Sequence, residues 1–354
     1  MFDAFLGWLI TILLSYGGTV QETPEYDELF APIENFQFDP ELTKAFLKVD
    51  VLPNYEPDDT RLTKCDEWIS GDLERLYFET PEWEKNGEYF QSEEPLKACQ
   101  QAQTEFPESQ RISFKLELAK EAISIAEIGW PNMFALAQQG YAPAFAALVE
   151  YHFFEEMDLS EEQLLKFNLL HYGAQLGDGH AMMSIGINYI VREQYDEALK
   201  WLHKGVEAGN PTAMMALGEY YADDAPYAES NKDQTLYWMR RAAIAGDIRA
   251  MFELSKIYLE GRSTEADLDR GARWALVGHA LQLGLVNWLG WDDDPIRQTM
   301  RKPVKRYLAS EGRYKGPLTS EADQAFWDAL SKWISEKAHV PLLKDLVKEE
   351  EARL

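Results

Sequence analysis

Ala198–Tyr221 reads ALKWLHKGVEAGNPTAMMALGEYY, and Thr235–Tyr258 reads TLYWMRRAAIAGDIRAMFELSKIY. Laid over one another, the two stretches place a tryptophan (Trp201, Trp238), a glycine (Gly209, Gly246), an alanine (Ala213, Ala250) and a tyrosine (Tyr221, Tyr258) in one order, 37 residues apart. Followed outward, the glycine recurs as Gly140, Gly177, Gly209 and Gly246, and the alanine, four residues later, as Ala144, Ala181, Ala213 and Ala250. Both landmarks step by 37, 32 and 37 residues, and Leu148, Ile185, Leu217 and Leu254 follow the alanines by four. Ala198, Trp201 and Val206 in one unit, and Thr235, Trp238 and Ala243 in the next, have the spacing of a helix face. Each unit therefore reads helix, glycine turn, helix, with Gly209 and Gly246 in the left-handed position where a Cβ is costly. A unit this small cannot bury its apolar stripe alone, so neighbours must stack. The expected fold is all-α: an α/α solenoid of stacked helix-turn-helix repeats, with an irregular N-terminal region and a helical C-terminal cap.

Composition agrees with a folded chain. At 354 residues, with 46% hydrophobic and 13% aromatic positions, a large core can be buried. The formal charge of −27 gives a strongly negative field, which repels nucleic acid and anionic lipid and favours cationic partners. That charge is uneven: residues 21–110 hold 23 acidic against 7 basic residues. The first residues, MFDAFLGWLITILLSYGGTVQ, contain an uncharged run from Ala4 to Thr19, too short for a comfortable span but suited to a signal-peptide core. Ser15 and Gly17 fit a cleavage site after Gly17, so residues 1–17 read as a signal peptide and the chain as periplasmic. Asp3 stands where a basic residue is usual, which keeps an uncleaved N-terminal anchor as the alternative. The two cysteines, Cys65 and Cys99, would pair in an oxidising compartment and remain thiols in a reducing one.

The pattern of alanine, tryptophan, a glycine-ended helix, then alanine, leucine-glycine and tyrosine resembles the Sel-one-like repeat, a relative of the tetratricopeptide repeat. Leu217-Gly218-Tyr221 matches fully, Ile185-Gly186-Tyr189 nearly, and Leu254-Ser255-Tyr258 puts serine for glycine. Gly261, Asp267 and Trp274 resemble the loop glycine, aspartate and tryptophan of the repeat. The match is specific over residues 163–284. Before it, Asn132 and Val149 replace the tryptophan and glycine of a degenerate first repeat; after it, two extra residues between Trp274 and Gly284 leave the last repeat incomplete. CQQAQTEFPESQRISFKLELAKEAI, from Cys99 to Ile123, resembles a lead-in of exported family members, in which a cysteine-bearing helix precedes a capping repeat. The domains read as 1–17, signal; 18–110, acidic region with a disulfide; 111–290, repeats; 291–354, capping helices.

For function, the resemblance implies a non-catalytic protein–protein interaction scaffold of the bacterial envelope, holding a partner in the concave groove. A narrower version is an immunity protein neutralising a secreted antibacterial toxin in the periplasm. The family lines its inner wall with the first helix of each repeat. That wall would here carry Met182, Met183, Met215, Tyr220 and Phe252, flanked by Asn188, Glu219 and Lys256 as specificity positions, and the acidic field suits a partner with a basic rim. The competing reading of these methionines is gap filling between stacked helices. A different class, an enzyme or enzyme subunit with its site in the N-terminal third, lacks any phosphate loop, nucleophile elbow, zinc-binding His-Glu-x-x-His or dinucleotide fingerprint. No cofactor, metal or small-molecule substrate is implied. Asp178 and His180 could form an acid–base pair but read as a surface turn. Asp294 in WDDD reads as a helix cap rather than a calcium ligand, and Thr319 or Ser320 as the start of the helix carrying Phe326, Ala329, Leu330 and Trp333.

Overall fold

The structure is a computed structural model, which describes residues 36–54, 63–65, 94–123, 130–151, 159–222, 230–281, 295–336 and 338–354. Residues 1–17, expected to be a signal peptide, and Asp294 lie outside these residues. Fifteen helices are described, and among the described residues there is no strand. They are α1 (Pro40–Leu47), α2 (Glu94–Glu105), α3 (Gln110–Ile123), α4 (Trp130–Gln138), α5 (Pro143–Tyr151), α6 (Leu159–Gln175), α7 (Gly179–Val191), α8 (Tyr195–Glu207) and α9 (Pro211–Tyr220). After these come α10 (Lys232–Ile244), α11 (Ile248–Glu260), α12 (Leu268–Leu281), α13 (Pro295–Ser310), α14 (Gln324–Ser335) and α15 (His339–Glu351). Helices consecutive in the repeats pack on one another, and the chain is an all-α solenoid of helical repeats. None of the described helices is long and apolar enough to cross a membrane. The contacts divide the chain into two compact units, one within Met1–Glu56 and Met133–Thr235, the other within Pro57–Asn132 and Leu236–Leu354.

The repeat glycines adopt the conformation their spacing demands. Gly177, Gly209 and Gly246 have φ of 97°, 83° and 99°, each ending one helix immediately before the cap of the next. Asp178, Asn210 and Asp247 are those caps, accepting from the backbone N–H of Ala181, Ala213 and Ala250 at 3.2, 2.7 and 2.8 Å. One orphan donor of each helix is thus met in the same way in three successive repeats. The alanines that follow are fully buried, as are Ile185, Leu217 and Leu254.

In the first unit, α6 to α9 pack in sequence, and α7 also meets α9. Gly186 permits the close approach of α7 to α8: a Cβ there would stand 2.8 Å from Leu202 Cδ2. The N-terminal stretch folds back over this unit. Phe36 meets Phe167 edge-on at 4.9 Å, Phe38 stacks on Tyr172 at 5.8 Å, and the Asp39 N–H donates to Asn168 Oδ1 at 2.7 Å. Residues 53–54 pass so close to Gly140 that a Cβ there would lie 2.5 Å from the Asn54 carbonyl oxygen.

In the second unit, Cys65 is bonded to Cys99 of α2, with both residues fully buried and their Cα atoms 4.5 Å apart. Helices α2 and α3 pack as a pair, α11 packs on α12, and α12 on α13 and α15. Ser255, where the repeat has glycine, is fully buried and donates its hydroxyl to the Gly271 carbonyl at 2.7 Å, so the departure supplies a hydrogen bond between α11 and α12. Asp323, not Thr319 or Ser320, caps α14: it accepts from the Phe326 N–H at 2.8 Å. Its other oxygen receives the buried Lys305 ammonium at 2.8 Å and the Tyr314 hydroxyl at 2.7 Å, and the Lys305 bond, with help from these other donors, holds its carboxyl down to about 2. The lysine decides the cap's position because a buried ammonium demands a carboxylate. Phe326, Ala329, Leu330 and Trp333 are buried as their spacing requires.

Candidate functional site

The stripe expected to face a partner divides between the two units. In the first, Met183, Met215 and Tyr220 are buried, at 4%, 4% and 6% exposure, within the packing of α7 and α9 against their neighbours. Met182, Asn188 and Glu219 are half-buried and carry what surface this stretch offers. Asn188 is engaged with its own helix, donating to the Ser184 carbonyl at 2.9 Å and accepting from Arg192 at 2.9 Å. In the second unit, Phe252 is buried against Gly278 of α12, and Lys256 pairs with Glu253 one turn away. The two readings of the methionines therefore separate by residue: Met183 and Met215 fill space between helices, while Met182 keeps a face to solvent.

Asp178 and His180 are not a surface turn. Both are buried. The Asp178 oxygens take the backbone N–H groups of His180 and Ala181, and burial pushes its carboxyl up against the pull of those bonds. The His180 ring turns to Glu150 instead, with Nε2 2.5 Å from Oε1. Nearby His171 is held neutral, its pKa lowered to about 4 by burial. Its Nδ1 donates to the Phe167 carbonyl at 2.8 Å, and its ring sits against Phe36, Phe167 and Trp201. Among the described residues, no group of three or more His, Cys, Asp or Glu has the geometry to hold a metal ion.

The densest polar constellation lies in the second unit, where α10, α11 and α12 converge on the end of α15. Glu350 is fully buried. Tyr258 Oη lies 2.7 and 2.9 Å from its two oxygens, Arg240 Nε 2.9 Å from Oε2, and Trp274 Nε1 donates to Oε1 at 3.2 Å. Arg240 also donates twice to Tyr258 Oη at 3.2 Å, and Arg270 covers the tyrosine ring at 5.2 Å. Adjacent Glu349 is gripped by Arg273 through two bonds of 2.8 and 3.1 Å and reached by Arg270 at 3.3 Å. The Arg273 bond first, then the charges of both arginines, hold the Glu349 carboxyl below its ordinary value, while burial and the neighbouring carboxylate push the Tyr258 hydroxyl up. Read from sequence, the tail KDLVKEEEARL is polar backing for a terminal helix. The signal that it is more is the i, i+4, i+8 spacing of Leu342, Leu346 and Glu350, which puts a carboxylate on the apolar face.

The repeat pattern is matched by a family model, the Sel1 repeat, three times, over residues 174–210, 211–247 and 248–276. Among curated proteins, no relative matches at a significant level. Among solved structures the chain is similar to a protective antigen present in uropathogenic Escherichia coli strains and displaying an SLR fold, with 17% identity and a TM-score of 0.40. That alignment covers 73% of this chain and 52% of the other, so the chain spans about half of that protein's length. Three matched repeats, with Gly177, Gly209 and Gly246 in the left-handed region and a buried alanine after each cap, identify residues 174–276 as a run of Sel1 repeats.

Proposed function

We propose that this protein is a non-catalytic scaffold which binds another protein through the exposed part of its repeat helices, in an oxidising compartment of the cell envelope. Sel1 repeats mediate protein–protein interaction, and the observation that carries the reading is the run of three over residues 174–276. The Cys65–Cys99 bond supports the compartment, since such bonds persist where thiols are not kept reduced. Within the first unit, Met182 and Glu219 support a binding face there, being an adaptable apolar side chain and a carboxylate that are both partly open to solvent. A partner with a basic rim around an apolar anchor fits that pair and the net charge of −27, because long-range charge speeds encounter while desolvated contacts hold the complex.

Capture of the partner from envelope extract, repeated with Met182→Lys and Glu219→Lys, tests the reading. Both variants should keep the helical circular-dichroism spectrum and weaken the captured partner's affinity about tenfold or more, which is about 1.4 kcal/mol. Equal affinity for parent and variants, or an acidic partner, would remove this face from consideration.

A further inference from the structure

We propose that the wall formed by Arg240, Tyr258, Arg270, Arg273 and Trp274 in the second unit is a receptor for an acidic helix, filled in cis by α15 and open to an equivalent helix of another protein when α15 lifts away. This site is separate from the face discussed above and does not depend on it.

The wall has the composition of a carboxylate receptor. Three arginines, one tyrosine hydroxyl and one indole N–H converge on two adjacent glutamates, and every one of them is a donor. The planar fork of Arg273 takes Glu349 with two bonds, the geometry that distinguishes a carboxylate from other acceptors. In a chain of net charge −27 such a convergence of cations is unusual, and the negative field elsewhere discourages acidic ligands that lack matching geometry. On α15 only Leu342, Leu346 and Glu350 are buried, while Val340 is 41% exposed. The helix packs on α12, its Glu350 also reaches Arg240 of α10 and Tyr258 of α11, and it is joined to α14 by the short stretch 336–338.

Lifting the helix would take Glu350 from Arg240, at 9% exposure, and both glutamates from Arg270, at 6%, which keeps Asp267 at 3.8 Å. Water can reach a vacated wall, but a second carboxylate pair with two leucines at the same helical spacing restores every bond. The tether makes the cis helix a strong competitor, since a short linker supplies an effective concentration in the millimolar range. A ligand in trans must therefore either bind more tightly or act when α15 is released. Salt favours release by screening the Glu349 pair at its solvent edge.

The test uses the full chain with a protease recognition sequence inserted between α14 and α15. After cleavage, gel filtration in high salt should separate the C-terminal peptide, leaving a chain that still melts cooperatively. A labelled synthetic peptide of residues 338–354 should then rebind in trans. Glu350→Gln in that peptide should weaken binding about 100-fold, because the arginines are left facing an uncharged amide. An unrelated helical peptide carrying only the two leucines and the glutamate pair at matching positions should compete, and a scrambled peptide of the same charge should not. Loss of the cooperative melt once the peptide is removed would make α15 part of the core and overturn the proposal. So would equal binding of the Glu350→Gln peptide, or equal competition by the scrambled one.

Discussion

Three tryptophans of the repeat differ in how far the fold uses them. Trp274 is fully buried and its indole N–H bonds Glu350, Trp238 is 7% exposed, and Trp201 is only half-buried, with the Lys204 ammonium 3.7 Å above its ring. Equal spacing in the sequence suggests equal roles, but the neighbours decide. Trp201 meets the edge of His171 at 5.0 Å and gains a cation–π contact, while Trp274 is enclosed on all sides. Trp274→Ala should cost about 3–5 kcal/mol, because it leaves a large cavity and removes a buried hydrogen bond. Trp201→Ala should cost about 1–2 kcal/mol, the range of a partly exposed contact. Denaturant melts of the two variants compare these directly, and similar losses would mean that half-burial understates the packing of Trp201.

At the scale of elements, the turn between consecutive repeat helices is one device used several times. Its glycine takes positive φ, the next residue caps the following helix with an oxygen, and an alanine three positions beyond the cap packs without space to spare. Asn210 is the buried example in the first unit, accepting from the Ala213 N–H at 2.7 Å while α9 starts on Pro211. Asn210→Ala should destabilise by about 1 kcal/mol, since the buried N–H it served loses its acceptor. Asn210→Asp keeps the acceptor and should recover most of that loss in thermal melts. Failure of Asp to recover it would mean that the amide nitrogen of Asn210, rather than its cap oxygen, carries the stabilisation.

For the whole molecule, the Cys65–Cys99 bond closes a loop of 34 residues across a region rich in turn residues and charge. In the chain-entropy account a loop of that length restricts the unfolded state by about 3–4 kcal/mol. Reduction should lower the stability of the second unit by about that amount, measured by denaturant melts with and without reductant. The first unit contains neither cysteine and should be unaffected, so the two transitions should move apart. A single transition that shifts as a whole would mean that the units unfold together.

What the sequence determined by itself is the repeat. The glycine and alanine landmarks, the helix pairs between them and the Sel1 repeat pattern they spell are local properties, because a left-handed turn, a cap and an apolar stripe each act within a few residues of one another. Even Ser255, a departure from the pattern, is legible as a position that must be small. The pairing of Cys65 with Cys99 was legible too, since there is no other cysteine to bond. What the tertiary structure decided is where each stripe residue spends its surface. Met182 and Met183 are adjacent, yet one reaches solvent and the other does not, because exposure depends on which neighbouring helix covers that face. Asp323 rather than Thr319 or Ser320 caps α14 because Lys305 and Tyr314, from a preceding segment, reach its carboxylate. The pairing of Glu349 and Glu350 with arginines 76 to 110 residues away was likewise beyond any local reading. A buried carboxylate is stable only where distant donors converge, and that convergence exists only after the chain has folded.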